Sequence, residues 1–361
     1  MNLSTIKLFD NKPLIIAGPC SAETEEQLMA TSKALAASGK VSMIRAGIWK
    51  PRTRPGSFEG VGVPGLEWMK AVKEETGLPV TVEVANFKHV FEALKYKIDV
   101  LWIGARTTGN PFSVQEIAEA LKGTDAIVFV KNPVNPDIDL WVGALERLHK
   151  SGISKLAAIH RGFGSYGKSK YRNDPHWQIP IELKRRIPEL PIVCDPSHIC
   201  GNRVCLPQIS QRALDLDFAG LMIESHINPD EAWSDKDQQV TPEDLETLLN
   251  TLVLRTPEIQ SEILSHTLET LRNEINEIDD ELLHLLSSRM KVADKIGVYK
   301  RNNGITILQN ERWNEIIEKA NTIGSKIGLS EQFLERFLKA VHQESINHQN
   351  EVMNRAAINK S

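Results

Sequence analysis

Eight short apolar runs, rich in residues that favour β-strands, recur at intervals of roughly 20–35 residues along the first part of the chain. They occupy residues 13–18, 41–47, 78–84, 100–105, 126–132, 155–162, 191–198 and 220–226. Stretches with helical periodicity, such as EEQLMATSKALAASG at 25–39, separate them. This alternation predicts βαβ units on a parallel sheet, and eight units predict a closed (β/α)8 barrel.

The chain has 361 residues, which leaves about a hundred beyond the roughly 250 that such a barrel needs. From about residue 265 strand-like runs stop, and charged residues interleave with Leu and Ile at helical spacing. A long amphipathic helix ending at Asn-Asn-Gly (302–304) is predicted, with two more near 307–322 and 330–356. We therefore predict a barrel over 1–256, a linker over 257–265 and an all-α domain over 266–361.

Composition excludes several classes of protein. The formal net charge of −4 argues against a nucleic-acid-binding protein. No apolar run approaches the roughly 18 residues of a membrane span, and the first residues do not have the pattern of a signal peptide, so we expect a cytoplasmic enzyme. Four cysteines are too few for a disulfide framework, and we expect them to remain thiols. A conspicuous cysteine is then a candidate ligand or nucleophile.

Basic side chains lie at or just past the carboxyl ends of the predicted strands: Arg45, Lys50, Arg106, Lys131 and Arg161. Strand ends of a barrel meet on its catalytic face, so these cations are predicted to converge there. Arginine forks and lysines suit phosphate and carboxylate oxygens, which indicates an anionic substrate. The competing interpretation is that each cation is solvated at the rim or paired with a neighbouring acid.

The same face is predicted to hold four potential metal ligands: Cys20, His198, Glu224 and Asp235. Thiolate, imidazole and carboxylate together suit a divalent transition metal such as Mn²⁺, Co²⁺, Fe²⁺ or Zn²⁺. Each residue alone has an ordinary structural explanation, and the four are far apart in sequence. The residues by themselves therefore leave a metal site open.

Eight strings occur in order at these strand ends and resemble the type I 3-deoxy-heptulosonate 7-phosphate synthases of the short-core, beta subtype. They are GPCS (18–21), RAGIWKPRT (45–53), IGAR (103–106), KNP (131–133), HRG (160–162), DPSH (195–198), IESH (223–226) and WSDKDQ (233–238). The resemblance implies condensation of phosphoenolpyruvate with erythrose 4-phosphate. It also implies a divalent metal, foremost Mn²⁺, on Cys20, His198, Glu224 and Asp235.

The resemblance assigns further roles. Arg45, Lys50, Arg106, Lys131 and Arg161 would bind phosphoenolpyruvate, with Lys50 also protonating the developing alkoxide, and Pro51, Arg52 and Thr53 would contact erythrose 4-phosphate. The related octulosonate 8-phosphate synthases usually carry KAN where this chain has KPRT. Sialic-acid synthases usually carry an antifreeze-like second domain, which a helical tail does not match. Both alternatives are therefore disfavoured.

On the long predicted helix Arg272, Arg289 and Lys300 are 17 and 11 residues apart, close to whole turns, so they share one side. Such a stripe is by default a solvated face. The tail from 266 to 356 nevertheless resembles the all-α (type II) chorismate mutases, which implies rearrangement of chorismate to prephenate and a homodimer. The implied ligand-binding residues are Arg272, Arg289, Lys300, Arg312, Ser345 and Gln349, with Arg289, Lys300 and Gln349 catalytic and Arg272 reaching the partner's pocket.

The tail departs from the mutase pattern at two positions. Trp313 stands where a glutamate is common, and Gln309 where an aspartate is common, which affects recognition of the substrate hydroxyl. An alternative is therefore an active barrel whose tail mainly senses prephenate and dimerises. We also expect prephenate to inhibit the condensation, because the tail is shaped for a pathway dianion.

Overall fold

The protein is described here from a computed structural model that covers residues 1–10, 13–50, 56, 58–165, 169–256 and 262–358. The chain divides into two compact units, Met1–Pro257 and Glu258–Ser361. Each unit has its own architecture. Among the described helices, none combines the length and apolar character that a membrane crossing requires.

Eight parallel strands close into a barrel in the order of the sequence, with the last strand paired to the first. They are β1 (Leu14–Gly18), β2 (Met43–Ala46), β3 (Val80–Val84), β4 (Val100–Ile103), β5 (Ile127–Lys131), β6 (Lys155–His160), β7 (Ile192–Cys194) and β8 (Gly220–Glu224). Every apolar run identified in the sequence contains one of them. The predicted (β/α)8 barrel is confirmed.

The strands are buried on both faces, as parallel strands require. Alternate residues such as Ile16, Met43 and Phe129 fill the barrel interior, while Ala17 and Ile44 belong to the layer under the helices. Six of the strands end before the predicted run does, among them β4 at Ile103 and β7 at Cys194. A short helix follows β4 and another follows β7, so polar residues at those two strand ends are placed on helical turns.

Ten helices belong to the described part of the barrel unit: α1 (Glu25–Ala37), α2 (Pro64–Thr76), α3 (Phe87–Lys95), α4 (Ala105–Thr108), α5 (Pro111–Ala120), α6 (Ile138–Lys150), α7 (Gln178–Arg186), α8 (Pro196–Cys200), α9 (Leu206–Asp215) and α10 (Pro242–Thr251). Side chains of Thr24, Asn86 and Asp137 accept hydrogen bonds from first-turn amides of α1, α3 and α6. Such caps satisfy amides that have no partner inside the helix.

The second unit consists of α11 (Glu262–Asn302), α12 (Asn310–Gly324) and α13 (Glu331–Ile358). Helix α11 packs against α13 through its carboxyl-terminal part, where Met290 and Ala293 are buried. Along its first half an apolar stripe stays exposed in the described unit: Leu264, Leu268, Leu271, Ile275, Ile278 and Leu282. An apolar stripe on a long helix is normally covered by a partner.

The expectation that all cysteines remain thiols was wrong for one pair. Cys200, at the end of α8, and Cys205, just before α9, form a disulfide with their Cα atoms 5.8 Å apart. The two helices meet at a five-residue separation, which brings the thiols within bonding distance. Cys20 and Cys194 are free and buried.

Replacing Gly220 tests how closely the backbones of β1 and β8 approach each other where the barrel closes. A Cβ atom at this position would lie 2.2 Å from the carbonyl oxygen of Leu14 and 2.9 Å from its Cβ. We expect Gly220→Ala to lower the free energy of unfolding by about 1–3 kcal/mol, because the crowding is against backbone. Thermal unfolding followed by circular dichroism measures it.

Gly143 is the matched control, because it lies in α6 and a Cβ there meets nothing within 4 Å. Gly143→Ala should leave the barrel as stable or raise its stability by roughly 0.5–1 kcal/mol. Equal melting temperatures for the two variants would contradict the predicted crowding at the β1–β8 junction.

Candidate functional site

Arg45 and Glu224 form a buried ion pair at the carboxyl ends of β2 and β8. Arg45 Nη1 lies 2.9 Å from Glu224 Oε1, and Arg45 Nη2 donates to the carbonyl oxygen of Cys20 at 3.0 Å. Although burial alone would lower it, Glu224 raises the pKa of Arg45, so the guanidinium stays charged. Since β1 lies between β2 and β8, these contacts join three strand ends.

Asp195 joins a second pair of side chains on the same face. Its carboxylate lies 2.8 Å from Lys131 Nζ and 3.0 Å from His198 Nδ1. Although burial alone would raise it, His198 and Lys131 hold the pKa of Asp195 well below its usual range. Burial lowers the pKa of His198 despite Asp195. A neutral His198 therefore directs Nδ1–H to Asp195, and its Nε2 lies 3.8 Å from Glu224 Oε1.

Cys20 lies between a cation and an acid. Lys50 Nζ donates to Cys20 Sγ at 2.7 Å, and Asp235 Oδ2 lies 3.3 Å from the same sulfur. Burial, reinforced by the charge of Glu224, raises the pKa of Cys20 to about 12. The thiol therefore ionises only when further positive charge is placed beside it.

The four sequence-predicted metal ligands lie just past β1, in α8, in β8 and in the loop before α10, and they meet as two pairs, Cys20 with Asp235 and His198 with Glu224. Among the described residues, no group of three or more His, Cys, Asp or Glu is arranged to hold a metal ion. The two carboxylates are instead turned toward hydrogen-bond donors. Glu224 receives Arg45 and Gln238 Nε2 (2.6 Å), and Asp235 receives Arg172 Nη1 (2.9 Å).

The remaining predicted cations lie on the same face. Arg161 Nη1 donates to Asn173 Oδ1 at 2.7 Å. Burial lowers the pKa of Arg161 to about 10, and although Asp195 opposes this, Arg172 and Arg106 lower it further. Positive groups that repel one another in this way form a site that an anion would stabilise. Pro51, Arg52 and Thr53 lie outside the described residues.

Sequence reasoning missed several residues at this site. Arg172 contacts Asp235 and also donates to Gln238 Oε1 at 2.7 Å. It lies in the segment between β6 and α7, well past the strand end, so the strand-end rule does not find it. Trp102 and Glu83 also line the interior, and their strands were recognised without their side chains being assigned a role. Gln238 belongs to the quoted WSDKDQ string and was overlooked.

A separate cavity of about 250 Å³ lies within the helical unit. Its lining includes Arg289, Lys300, Gln309, Arg312, Trp313, His342, Ser345 and Gln349. Arg289 Nη1 contacts Ser345 Oγ, and Lys300 Nζ donates to the carbonyl oxygen of Ile307 at 2.6 Å. Gln349 Oε1 is buried and has no hydrogen-bond partner among the described residues. The cavity therefore offers cations to the anionic groups of a ligand, and Gln349 Oε1 offers an acceptor to a ligand hydroxyl.

Two of the residues predicted to bind the mutase ligand, Arg272 and Arg312, differ from the others in their contacts with this cavity. Arg272 lies on the exposed half of α11 and does not line the cavity in the described unit. Arg312 lines it but pairs with Glu315 at 2.6 Å.

Trp313 stacks on His342 with ring centroids 4.1 Å apart. His342 was missed because a single histidine on a helix carries no sequence signal of its own.

Comparison with known families divides the chain at the same place as its structure. Residues 4–261 match the DAHP synthetase I family, whose name abbreviates 3-deoxy-D-arabino-heptulosonate 7-phosphate. Residues 271–350 match the type II chorismate mutases. The two matches together account for both units.

Individual relatives agree with the first match. A phospho-2-dehydro-3-deoxyheptonate aldolase from Thermotoga maritima is 31% identical over 240 residues, covering 66% of this chain and 69% of the relative. A 2-dehydro-3-deoxyphosphooctonate aldolase from Rhodopseudomonas palustris is 28% identical over 272 residues, covering 69% and 90%. The crystal structure of the Thermotoga maritima DAHP synthase superposes with a TM-score of 0.61 at 29% identity, covering 69% of this chain and 72% of that one. The chain belongs to the DAHP synthetase I family and carries a type II chorismate mutase domain fused behind its barrel.

Proposed function

We propose that the cationic face of the barrel condenses phosphoenolpyruvate with erythrose 4-phosphate, and that the helical cavity rearranges chorismate to prephenate. The family matches support both activities in one chain. The observation that carries the barrel assignment is the convergence of five strand-end cations beside Cys20, His198, Glu224 and Asp235. The family match favours the heptulosonate reaction over the octulosonate alternative, and the mutase match of the helical unit disfavours the sialic-acid alternative.

We assign phosphoenolpyruvate binding to Arg45, Lys50, Arg106, Lys131 and Arg161. The phosphate and carboxylate of phosphoenolpyruvate are both anionic, and their binding offsets the burial and the repulsion by Arg172 and Arg106 that lower the pKa of Arg161. The same fixed cations stabilise negative charge that develops as phosphate leaves. Erythrose 4-phosphate is assigned to Pro51, Arg52 and Thr53 on the resemblance alone.

The family is generally metal-dependent, and we assign the metal to Cys20, His198, Glu224 and Asp235. Their chemistry fits, because a thiol and a carboxylate meet beside a neutral imidazole and a second carboxylate, and a bound divalent ion would favour ionisation of the Cys20 thiol, whose pKa burial raises. A divalent ion there would supply Lewis-acid polarisation of the aldehyde. Mn²⁺ is our first choice, with Co²⁺, Fe²⁺ and Zn²⁺ as alternatives.

Lys50 is proposed as the proton donor to the alkoxide that forms from the aldehyde. Its Nζ lies at Cys20 Sγ, next to Asp235, so an ammonium proton is already placed at the reacting face. A general acid must lie within hydrogen-bond reach of the oxygen that it protonates. The remaining cations hold phosphoenolpyruvate in place while this transfer occurs.

Replacing Cys20 tests the metal assignment. We expect Cys20→Ala to abolish condensation and to reduce the bound metal per chain, because a soft ligand is lost. Phosphate release and elemental analysis of the purified protein measure the two effects. The mutase activity of the same variant should be unchanged.

Cys194→Ala is the matched control, because Cys194 is also a free, buried cysteine but packs in the layer outside the barrel. It should keep its metal and most of its condensation rate. Full metal content in Cys20→Ala, or condensation that survives exhaustive chelation, would overturn the assignment.

In the helical cavity we assign the substrate carboxylates to Arg289 and, from a partner subunit, Arg272. Lys300 and Gln349 are assigned to the ether oxygen, with Arg312 and Ser345 completing the polar lining. The rearrangement needs no nucleophile, since it only requires a compact conformer and stabilised charge on the breaking bond. Burial lowers the pKa of Lys300.

Arg289→Ala and Lys300→Ala test this assignment. Each should cost roughly 3–5 kcal/mol of transition-state stabilisation in the mutase while sparing the barrel. The measurement is kcat/KM for chorismate beside the condensation rate. Lys291→Ala, an exposed cation of α11 outside the cavity, is the control and should be silent. Modest losses in both cavity variants would favour a sensing tail.

We propose a homodimer through the helical unit. The exposed apolar stripe on the first half of α11 supports it, as does the fact that Arg272 does not line the cavity of its own described unit. In such a dimer, mixing Arg272→Ala with Arg289→Ala subunits regenerates one intact mutase site. A mixture with no activity above its parents would exclude a shared cavity. The cytoplasmic location expected from the sequence stays a prediction.

We further propose that prephenate inhibits the condensation through the helical unit. A site that binds a product dianion is covalently attached to the barrel, and a coupling of about 1–3 kcal/mol between the two sites suffices for control. Prephenate should then lower the condensation rate of the full-length enzyme, and Arg289→Ala should remove that inhibition while keeping the basal rate. If prephenate inhibits the wild-type enzyme and the Arg289→Ala variant equally, it must bind at a site other than the helical cavity.

A further inference from the structure

Trp102 lies in the barrel interior beneath two of the proposed phosphoenolpyruvate-binding cations. Its side chain belongs to β4 and is 1% exposed. The guanidinium carbon of Arg45 lies 5.0 Å from the ring centroid, and Lys131 Nζ lies 5.7 Å from it. Both distances are within the range in which an aromatic ring attracts a cation.

The orientation of the indole is fixed by Glu83 on the neighbouring strand. Trp102 Nε1 donates to Glu83 Oε2 at 3.1 Å, and the two residues are paired in the β3–β4 register. Gly104 leaves room for this carboxylate, since a Cβ there would lie 2.1 Å from Glu83 Oε1. The hydrogen bond therefore sets the rotation of a ring that already has little freedom in the packed interior.

A ring at this place acts differently from a polar or aliphatic residue. Arg45 and Lys131 each have one acidic partner, Glu224 and Asp195. The face of Trp102 attracts both cations without adding a formal negative charge, so their remaining hydrogen-bonding capacity is left for an anion. A carboxylate there would neutralise them, and a leucine would supply neither attraction nor orientation.

We propose that Trp102 is a positioning residue for phosphoenolpyruvate, whose ring holds Arg45 and Lys131 in place for the anion. The inference rests on the assignment of these cations to phosphoenolpyruvate above. Trp102 acts through its neighbours, and Glu83 fixes its rotation. The competing interpretation is that Trp102 only fills the barrel interior.

Replacing Trp141 distinguishes a positioning role of Trp102 from a role that only fills the barrel interior. It is also a fully buried tryptophan whose indole N–H donates at 3.1 Å, here to the carbonyl oxygen of Val130. It packs in the outer layer and none of the cation contacts of the described residues involves it. Trp141→Phe therefore removes a comparable indole and hydrogen bond without touching the cations.

The test compares Trp102→Leu, Trp102→Phe and Trp141→Phe in the full-length, metal-loaded enzyme. Binding of phosphoenolpyruvate alone is measured by titration calorimetry, and kcat and KM are measured for both substrates. We expect Trp102→Leu to weaken phosphoenolpyruvate binding by at least about tenfold, because two buried cation–π contacts that hold Arg45 and Lys131 are lost. The KM for erythrose 4-phosphate should change less than twofold, and Trp102→Phe, which restores a ring, should lie within threefold of the wild type.

Trp141→Phe should lower the melting temperature but keep wild-type affinity for phosphoenolpyruvate. Unchanged affinity in Trp102→Leu, or an equal loss in Trp141→Phe, would overturn the positioning role. If Trp102→Leu does not fold, Glu83→Gln replaces it, because it keeps an acceptor for the indole and should keep the affinity within threefold, whereas Glu83→Ala should lower it. Equal affinities for these two variants would also overturn the proposal. A wild-type enzyme that does not bind phosphoenolpyruvate would instead refute the proposed function itself.

Discussion

The buried ion pair between Arg45 and Glu224 is the contact on which the catalytic face of the barrel depends. It joins β2 to β8 across β1, and the second guanidinium nitrogen binds the carbonyl of Cys20. Both side chains are removed from water, so the loss of either partner would leave an uncompensated charge, at a cost of about 3–5 kcal/mol. The pair therefore specifies geometry at the strand ends more than it adds net stability.

The other cations of this face are also held by acids or by neutral oxygens from neighbouring elements. Lys131 is paired with Asp195, and Arg172 with Asp235, whereas Arg161 reaches only neutral oxygens in the contacts described here. Acids placed between the cations stabilise this face of the barrel, and they leave donors that an anionic substrate can engage. In the helical cavity, two of the cations contact neutral groups instead of acids. Arg289 contacts Ser345, and Lys300 contacts a backbone carbonyl.

Much of this site was predictable because a parallel barrel converts sequence order into spatial order. Arg45, Lys131, Asp195 and Glu224 each stand at a strand end, and closure of the barrel brings strand ends together whatever their separation in sequence. Arg172 and His342 were not predictable in this way. The first reaches the site from a long connection and the second from a helix face, and neither position follows from a local period.

Period and order along the chain encode the eight strands, the change to helices near residue 265, and the residue types that meet at the strand ends. The acids that pair with Arg45 and Lys131, the position of Trp102 beneath these two cations, and the bond between Cys200 and Cys205 follow only from the folded barrel. Those outcomes depend on distances between side chains from different elements. Such distances are set by packing of the whole barrel and have no signature in any one segment.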